Sequence, residues 1–373
     1  MKNVVLNKKT IIIDFGKIST PYCGLAEVAL NFSQALEKQK TELLEFVYIV
    51  PGPLMEEFQM RVSARSISPN YTGLNRLIYY LSGRRRQLCR LPKFDLYHYL
   101  HFYSPWGPEP DSVAPILLTV HDLHALERVR SAKRLKKKLK EVGYLAFISR
   151  FAQQEYKKYF SSSSAVSRVI KNGVKKPPVI DEAKSDIWKQ KYQDYLFTFG
   201  GLKRKNIHSL LGMLQINSDK PLLCDLKLLV AGGVKQKYKK ELLDEAGERG
   251  VSEKLVFLGA VSEQEKFELF QACRAFVFPS LQEGFGLPVI EALRFGKPVF
   301  CSNKTSLPEV GGEMVYYWES FDPVDMSEVL QQGLRDNDKN TQEKVLLRKR
   351  YARTFDWDKN AQEYLEYYLN VLS

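Results

Sequence analysis

The sequence has only five cysteines, Cys23, Cys89, Cys224, Cys273 and Cys301, and no CxxC pair among them. Thiols so scattered exclude a disulfide framework and a zinc-ligand set, and they are the usage of a reducing cytosol. Long apolar runs are missing too. No uncharged stretch approaches the ~18 residues that a membrane span needs. The opening, MKNVVLNKKTIIIDFG, has neither the apolar h-region nor the cleavage site of a signal peptide. Low-complexity sequence is confined to SSSS at 161–164. What remains is a chain of 373 residues, 44% hydrophobic, which suits two domains with a core in each. The expected location is cytoplasmic.

Negative charge is scarce in one half. Residues 1–180 hold 29 Lys and Arg against 14 Asp and Glu, a net +15, whereas residues 181–373 hold 27 against 29, a net −2. Much of the excess sits in GRRRQLCRLPK, with its cations at Arg84–Arg90, and in RVRSAKRLKKKLKE, covering Arg128–Lys140. In the second stretch Leu135 and Leu139 recur four apart, the spacing of a basic amphipathic helix. Such a face is either simply solvated or suited to anionic lipid headgroups, each basic residue contributing about 1 kcal/mol near the surface. The lipid reading makes the protein peripheral on the inner face of a membrane. Nucleic acid stands behind both, because no RRM, zinc finger or Arg-plus-aromatic pattern accompanies the runs.

Strand-like apolar runs alternate with helical patterns. TIIIDFG, EFVYIV, FDLYHYL and PILLTVHDL read as buried strands, FISRFAQQEYKKYF turns from strand to helix, and SRVIKNGV closes the series. The Pro- and charge-rich KKPPVIDEAKSD, residues 175–186, reads as a linker. The alternation then restarts through YLFTFGG, LKLLVAGG, KLVFLG, AFVFPS and PVFCS, each followed or preceded by a helical segment. Alternation implies parallel sheets covered on both faces. Done twice, it predicts an α/β protein of two Rossmann-like doubly wound domains facing across a cleft: residues 1–180, residues 187–350, and a closing aromatic-rich helix over 355–373.

In such sheets ligands bind at the carboxyl ends of strands. EGFGLPVIEA, residues 283–292, lies just past AFVFPS and carries two acids around a tight turn. Gly284 and Gly286 allow close backbone approach, and Pro288 suits a first helical turn. The amides near Gly286 and Leu287 then favour an anion, while Glu283 and Glu291, the latter read as first-turn, are placed to accept from hydroxyl groups. Taken alone, the pair is equally well a loop acid and a helix-start acid. His121, ending ILLTV, is a further candidate, since a His there either packs, caps or acts. His98, His101, His124 and His208 have no comparable support. DND at 336–338 resembles a metal-binding DxD but falls in a charged stretch, where a solvated helix end accounts for it.

The order and spacing of these segments resemble the retaining GT-B glycosyltransferases of family 4, the glycosyl transferases group 1 type. E-G-F-G-L-P-V-I-E-A is similar to that family's E-x7-E signature, within FPSLQEGFGLPVIEALRFGKPVFCSNKTSLPEVGGE. TFGGLKRKNIHSLL resembles its Gly loop and Lys, TVHDL its His-Asp strand end, VIKNGV its strand near the linker and FDWDKNAQEYLEYY its closing helix, which crosses back to the N-terminal domain. The resemblance implies an N-terminal acceptor-binding domain and a C-terminal donor-binding one. It also implies a hexosyltransferase moving a mannose- or glucose-type hexose from a UDP- or GDP-sugar to a glycan or lipid-linked glycan in polysaccharide or glycoconjugate biosynthesis.

By the same resemblance, Glu291 bonds the ribose, Glu283 the transferred sugar, and the amides of Phe285, Gly286 and Leu287 hold sugar and phosphate. Lys205, with Arg204 beside it, neutralises the diphosphate; Gly201 and Gly24 belong to loops passing the phosphates, and His121 lies near the reacting sugar. The chain departs from the family where Gly200-Gly201 replaces Gly-Arg, leaving Arg204 or Lys203 to supply the lost cation, and where Cys23-Gly24 replaces Gly-Gly. No cofactor and no metal are expected, since fixed cations serve a departing diphosphate. The alternatives from other classes are a GT-B nucleotide-sugar epimerase and a non-catalytic sugar-nucleotide binding protein.

Overall fold

The apolar runs of the first half become strands β1 Lys9–Asp14, β2 Leu44–Ile49, β3 Ser66–Ile67, β4 Leu96–Tyr99, β5 Ile116–Val120, β6 Tyr144–Phe147 and β7 Val166–Val169. They form one parallel sheet in the order β3-β2-β1-β4-β5-β6-β7. This is a computed structural model, and it describes residues 8–373 except 17, 19, 21–22, 70–90, 103, 105, 109–111, 124–128, 162, 179, 181 and 219–222. The second half gives β8 Tyr195–Phe199, β9 Lys227–Ala231, β10 Leu255–Gly259, β11 Ala275–Phe278, β12 Val299–Ser302 and β13 Tyr316–Trp318, all parallel, in the order β10-β9-β8-β11-β12-β13. The chain divides into two compact units, residues 1–173 with 356–373, and residues 174–355. Each strand order reverses once, between β1 and β4 and between β8 and β11, and such switch points are where doubly wound sheets bind ligands.

Strands buried on both faces explain why the runs read as continuous apolar stretches. In the first unit Ile11, Ile13 and Phe15 pack on one side of the sheet, Ile12, Tyr97 and Leu118 on the other. The helix Trp357–Leu372 joins the first of these cores, with Tyr364 and Tyr368 buried and the Phe32 and Tyr364 rings 4.7 Å apart. In the second unit, helix Glu263–Ala272 starts with a capping box: Ser262 accepts from the Glu265 amide at 3.2 Å, and Glu265 accepts from the Ser262 amide at 2.7 Å.

Several readings change. The stretch 175–186 lies within the second unit, where Lys175 Nζ bonds Glu263 Oε2 at 2.5 Å and a helix Glu182–Tyr192 begins. The sixth strand starts at Tyr144, ahead of FISRF. DND lies in the last turn of helix Pro323–Lys339, a helix end as read, but one engaged by neighbours rather than simply solvated: Asp336 pairs with Lys344, the buried Asn337 accepts through Oδ1 from Arg348 at 2.6 Å, and Asp338 pairs with Arg274. Among the described residues no group of three or more His, Cys, Asp and Glu is arranged to hold a metal. No described helix is long and apolar enough to cross a membrane.

One buried titratable group ties the closing helix to its sheet. His98 is fully buried, its Nδ1 2.6 Å from Tyr368 Oη and its Nε2 2.8 Å from Thr119 Oγ1, which in turn meets Tyr364 Oη at 2.8 Å. Burial pushes the His98 pKa down to about 3. The folded state therefore resists a proton that the unfolded chain takes up near pH 6.5, so stability is lost as pH falls below that value, at about 1.4 kcal/mol per unit. Thermal unfolding of the wild type should lose about 2 kcal/mol from this residue between pH 6.5 and 5. The unprotonatable His98→Gln variant, weaker at pH 7, should lose less; parallel curves for both would rule His98 out as a source of acid sensitivity.

Candidate active site

The β8–β11 switch point brings two loops together. After β8 the chain passes Gly200 and Gly201, where a Cβ on Gly200 would stand 2.6 Å from Val230 Cγ1 and Gly201 has φ +114°. A short 3-10 turn, Lys203–Lys205, follows, and Asn206 in the left-handed region opens helix Ile207–Ile216. The loop after β11 runs to Gly286, at φ +103°, and then into helix Leu287–Arg294 with Pro288 in its first turn. The Leu281 amide donates to Arg204 O at 2.8 Å, and the Arg204 guanidinium to Gln282 O, so the loops are fastened to each other.

Glu283 is the centre of this junction, only 8% exposed. Its Oε1 accepts from Lys205 Nζ at 2.6 Å and Ser280 Oγ at 2.5 Å, with Arg204 Nη1 at 3.4 Å. Oε2 accepts no bond from any described residue. The Glu283 amide donates to Thr305 Oγ1 at 3.0 Å, and Ser306 Oγ shares its proton between the carbonyls of Glu283 and Phe285, at 2.9 and 3.0 Å. Thr305 holds φ +54°, a strained setting for a β-branched residue. Burial pulls the Lys205 ammonium below its usual pKa, and the Glu283 carboxylate pulls it back up; the Phe278 ring, 4.4 Å away, adds a cation–π contact. Two cations against one carboxylate leave a net positive charge beside a helix start. The Gly286 and Leu287 amides are among those a helix cannot satisfy internally, which makes the place attractive to an anion.

Glu291 is on the second turn of its helix, not the first, because the helix begins only at Leu287. Its Oε1 accepts from Lys266 Nζ at 2.7 Å. Arg204, Lys205, Glu283, Phe285, Gly286 and Leu287 are thus assembled at one switch point, with Gly201 in the adjoining loop. Sequence reasoning gave no role to Ser280, Thr305, Ser306 or Lys266. The first three fall in segments already conspicuous for strand ends and turns, whereas nothing local marks Lys266.

Gly24 and His121 belong to the first unit. Gly24 is the first residue of helix Gly24–Gln39 and not part of a loop, since the Glu27 amide donates to Cys23 O at 3.1 Å and closes the turn there. A Cβ at Gly24 would meet nothing within 4 Å, so close packing does not require glycine. His121 follows β5, its Nε2 2.8 Å from Leu100 O. A carbonyl only accepts, so Nε2 carries the proton, and burial lowers the pKa so that the neutral ring keeps a bare Nδ1. The His101 ring is 5.8 Å away.

The basic segment Arg84–Arg90 lies outside the described residues. In the other, helix Val129–Leu139 buries Leu135 but also Lys138, whose ammonium sits 3.3 Å over the Tyr99 ring and donates to Ser104 O at 3.2 Å. Not every cation of that helix faces outward; Lys133 and Lys136 do.

Comparison with known proteins points one way. The family model of the glycosyl transferases group 1 matches residues 180–349. O-antigen chain mannosyltransferase B of Escherichia coli is 29% identical over 283 residues, covering 69% of this chain and 71% of that one. Among solved structures, sucrose-phosphate synthase of Thermosynechococcus elongatus aligns with a TM-score of 0.76 at 16% identity over 98% of this chain and 99% of its own. HepE of Anabaena, in complex with UDP and glucose, gives 0.71 at 15% identity, over 97% and 100%.

Proposed function

We propose, from the premise that this chain is a GT-B glycosyltransferase with a glycosyl transferases group 1 domain, that it transfers a mannose- or glucose-type hexose from a UDP- or GDP-sugar. The acceptor is a glycan or lipid-linked glycan in O-antigen-like polysaccharide synthesis, and the anomeric configuration is retained. The similarity to a mannosyltransferase supports the sugar class, and the UDP-binding fold neighbour supports a nucleotide donor.

The observation that carries the reading is the cluster of Lys205, Arg204 and Glu283 at the switch point. In the reaction, Lys205, Arg204 and the amides of Phe285, Gly286 and Leu287 meet the charge that develops on the departing diphosphate. Glu283 accepts from hydroxyls of the transferred hexose through Oε2, and Glu291 from the ribose. The diphosphate oxygen takes the acceptor's proton on the face it leaves, so no enzyme nucleophile is required. The bare Nδ1 of neutral His121 is suited to accept from a hydroxyl of the sugar. With fixed cations in this role, turnover proceeds in EDTA.

The test is release of UDP or GDP from a panel of nucleotide sugars, with and without glycan acceptor, in EDTA, with NMR of the first-formed product. Acceptor-dependent release and a retained anomer are expected. Epimer formation without release, an inverted linkage, or turnover restored only by Mn²⁺ or Mg²⁺ overturns the corresponding part.

A further inference from the structure

The donor reading leaves Lys266 without a role, although it is the residue that holds Glu291. Lys266 stands on helix Glu263–Ala272, one turn past the capping box that fixes the helix start. Its Nζ reaches across to Glu291 Oε1 at 2.7 Å, both side chains being mostly buried at 17% and 14% exposure. The helix is anchored through Phe267 and Phe270, whose rings lie 5.8 Å from that of Phe295 beyond the end of the Glu291 helix. Lys266 therefore projects from a firm base. Glu291 has no other hydrogen-bond partner among the described residues, so this one contact decides which rotamer it holds. A carboxylate with one oxygen fixed by an ammonium presents the other in a single direction. That free oxygen has lone pairs enough to accept from both hydroxyl groups of a vicinal diol.

We infer that Lys266 is a positioning residue which sets Glu291 to receive the ribose diol of the nucleotide, and so sets the enzyme's preference for ribonucleotides over deoxyribonucleotides. The inference rests on the donor-site reading above. A merely structural ion pair would support the helices without regard to the sugar of the ligand. A competing pair, in which Lys266 must release Glu291 before ribose enters, would weaken binding, not direct it.

Calorimetric titration separates these. UDP, GDP and their 2′-deoxy forms are titrated into wild type, Lys266→Met, Lys266→Arg and Glu291→Gln proteins, with thermal unfolding run beside each. The expected result is a wild-type preference for the ribonucleotide of about tenfold, the scale of one hydrogen bond to a charged group. Lys266→Met should weaken ribonucleotide binding by a similar factor and leave the deoxy form nearly unchanged. Lys266→Arg should restore most of the preference. In turnover, Lys266→Met raises KM for the donor with little change in kcat. If Glu291→Gln abolishes the preference while Lys266→Met leaves it intact, or if Lys266→Met tightens binding, Lys266 does not position Glu291 and the donor site stands. If Glu291→Gln changes neither affinity nor preference, the donor site itself is misplaced and the inference falls with it.

Discussion

Glu283→Gln should lower kcat by about 10²–10³-fold, the scale for removing one preorganised group from a site where charge develops. The substitution keeps the shape of the side chain and removes its charge. In the wild type, Lys205 Nζ and Ser280 Oγ both donate to Glu283 Oε1. The amide carbonyl of Gln accepts less strongly, and Lys205, 13% exposed, is left with a buried charge and no counter-ion. Breaking such a pair from one side costs about 3 kcal/mol, or about 6–12 °C in melting temperature for a unit of this size. The pH dependence gives a second signature. Burial already draws the Lys205 pKa down, and Glu283 is the largest influence raising it. Without that carboxylate the ammonium loses its proton at lower pH, so the alkaline limb of the kcat profile moves toward neutrality. A variant that keeps kcat within threefold of wild type, with an unshifted alkaline limb, removes Glu283 from the reaction.

Gly286→Ala carries the second large effect, through the backbone. At φ +103° and ψ 44° an L-residue is strained by about 1–3 kcal/mol. The new Cβ would also stand 2.6 Å from Leu307 Cδ2, and Leu307 is fully buried, with little room to turn. The loop must shift, and the amides of Phe285, Gly286 and Leu287 shift with it. Binding of UDP or GDP, whichever the wild type prefers, should weaken at least tenfold, and unfolding in urea should come earlier. Adding Leu307→Ala opens space for the methyl group but leaves the torsional strain. The double variant should thus regain some affinity that the loop shift lost, though the deletion at Leu307 costs stability of its own. Unchanged nucleotide affinity in Gly286→Ala would mean that this turn does not touch the ligand.

Much of this architecture is readable from local sequence because parallel strands buried on both faces leave unbroken apolar runs. KTIIID, LEFVYI, YLFTF and AFVF each lie in their sheet where such runs predict a strand. The E-x7-E stretch is likewise legible, since glycine, proline and paired acids state their geometry locally. Other features escape for physical reasons. β13 is three residues long, too short for any periodicity to register. The helix over the DND segment is marked by Met326, Leu330 and Leu334, four apart and buried, yet its dense charge obscures that stripe. The ion pairs are the hardest to foresee. Lys205 finds Glu283 across 78 residues and Lys266 finds Glu291 across 25. Sequence offers many lysines and many acids, and only the packing of the loops and helices selects the partners. The same holds for Lys138, which looks like one more cation of a basic helix and is instead buried beneath it.

The unit made of residues 1–173 draws its last piece, Trp357–Leu372, from the far side of the other unit in the chain. During synthesis on the ribosome, then, the lobe translated first is the lobe finished second. Its nascent core waits, with the places of Tyr364 and Tyr368 unfilled, until the whole of residues 174–355 has emerged. A chain stalled or clipped before Trp357 would display that unsealed apolar surface and offer a ready handle to chaperones and proteases.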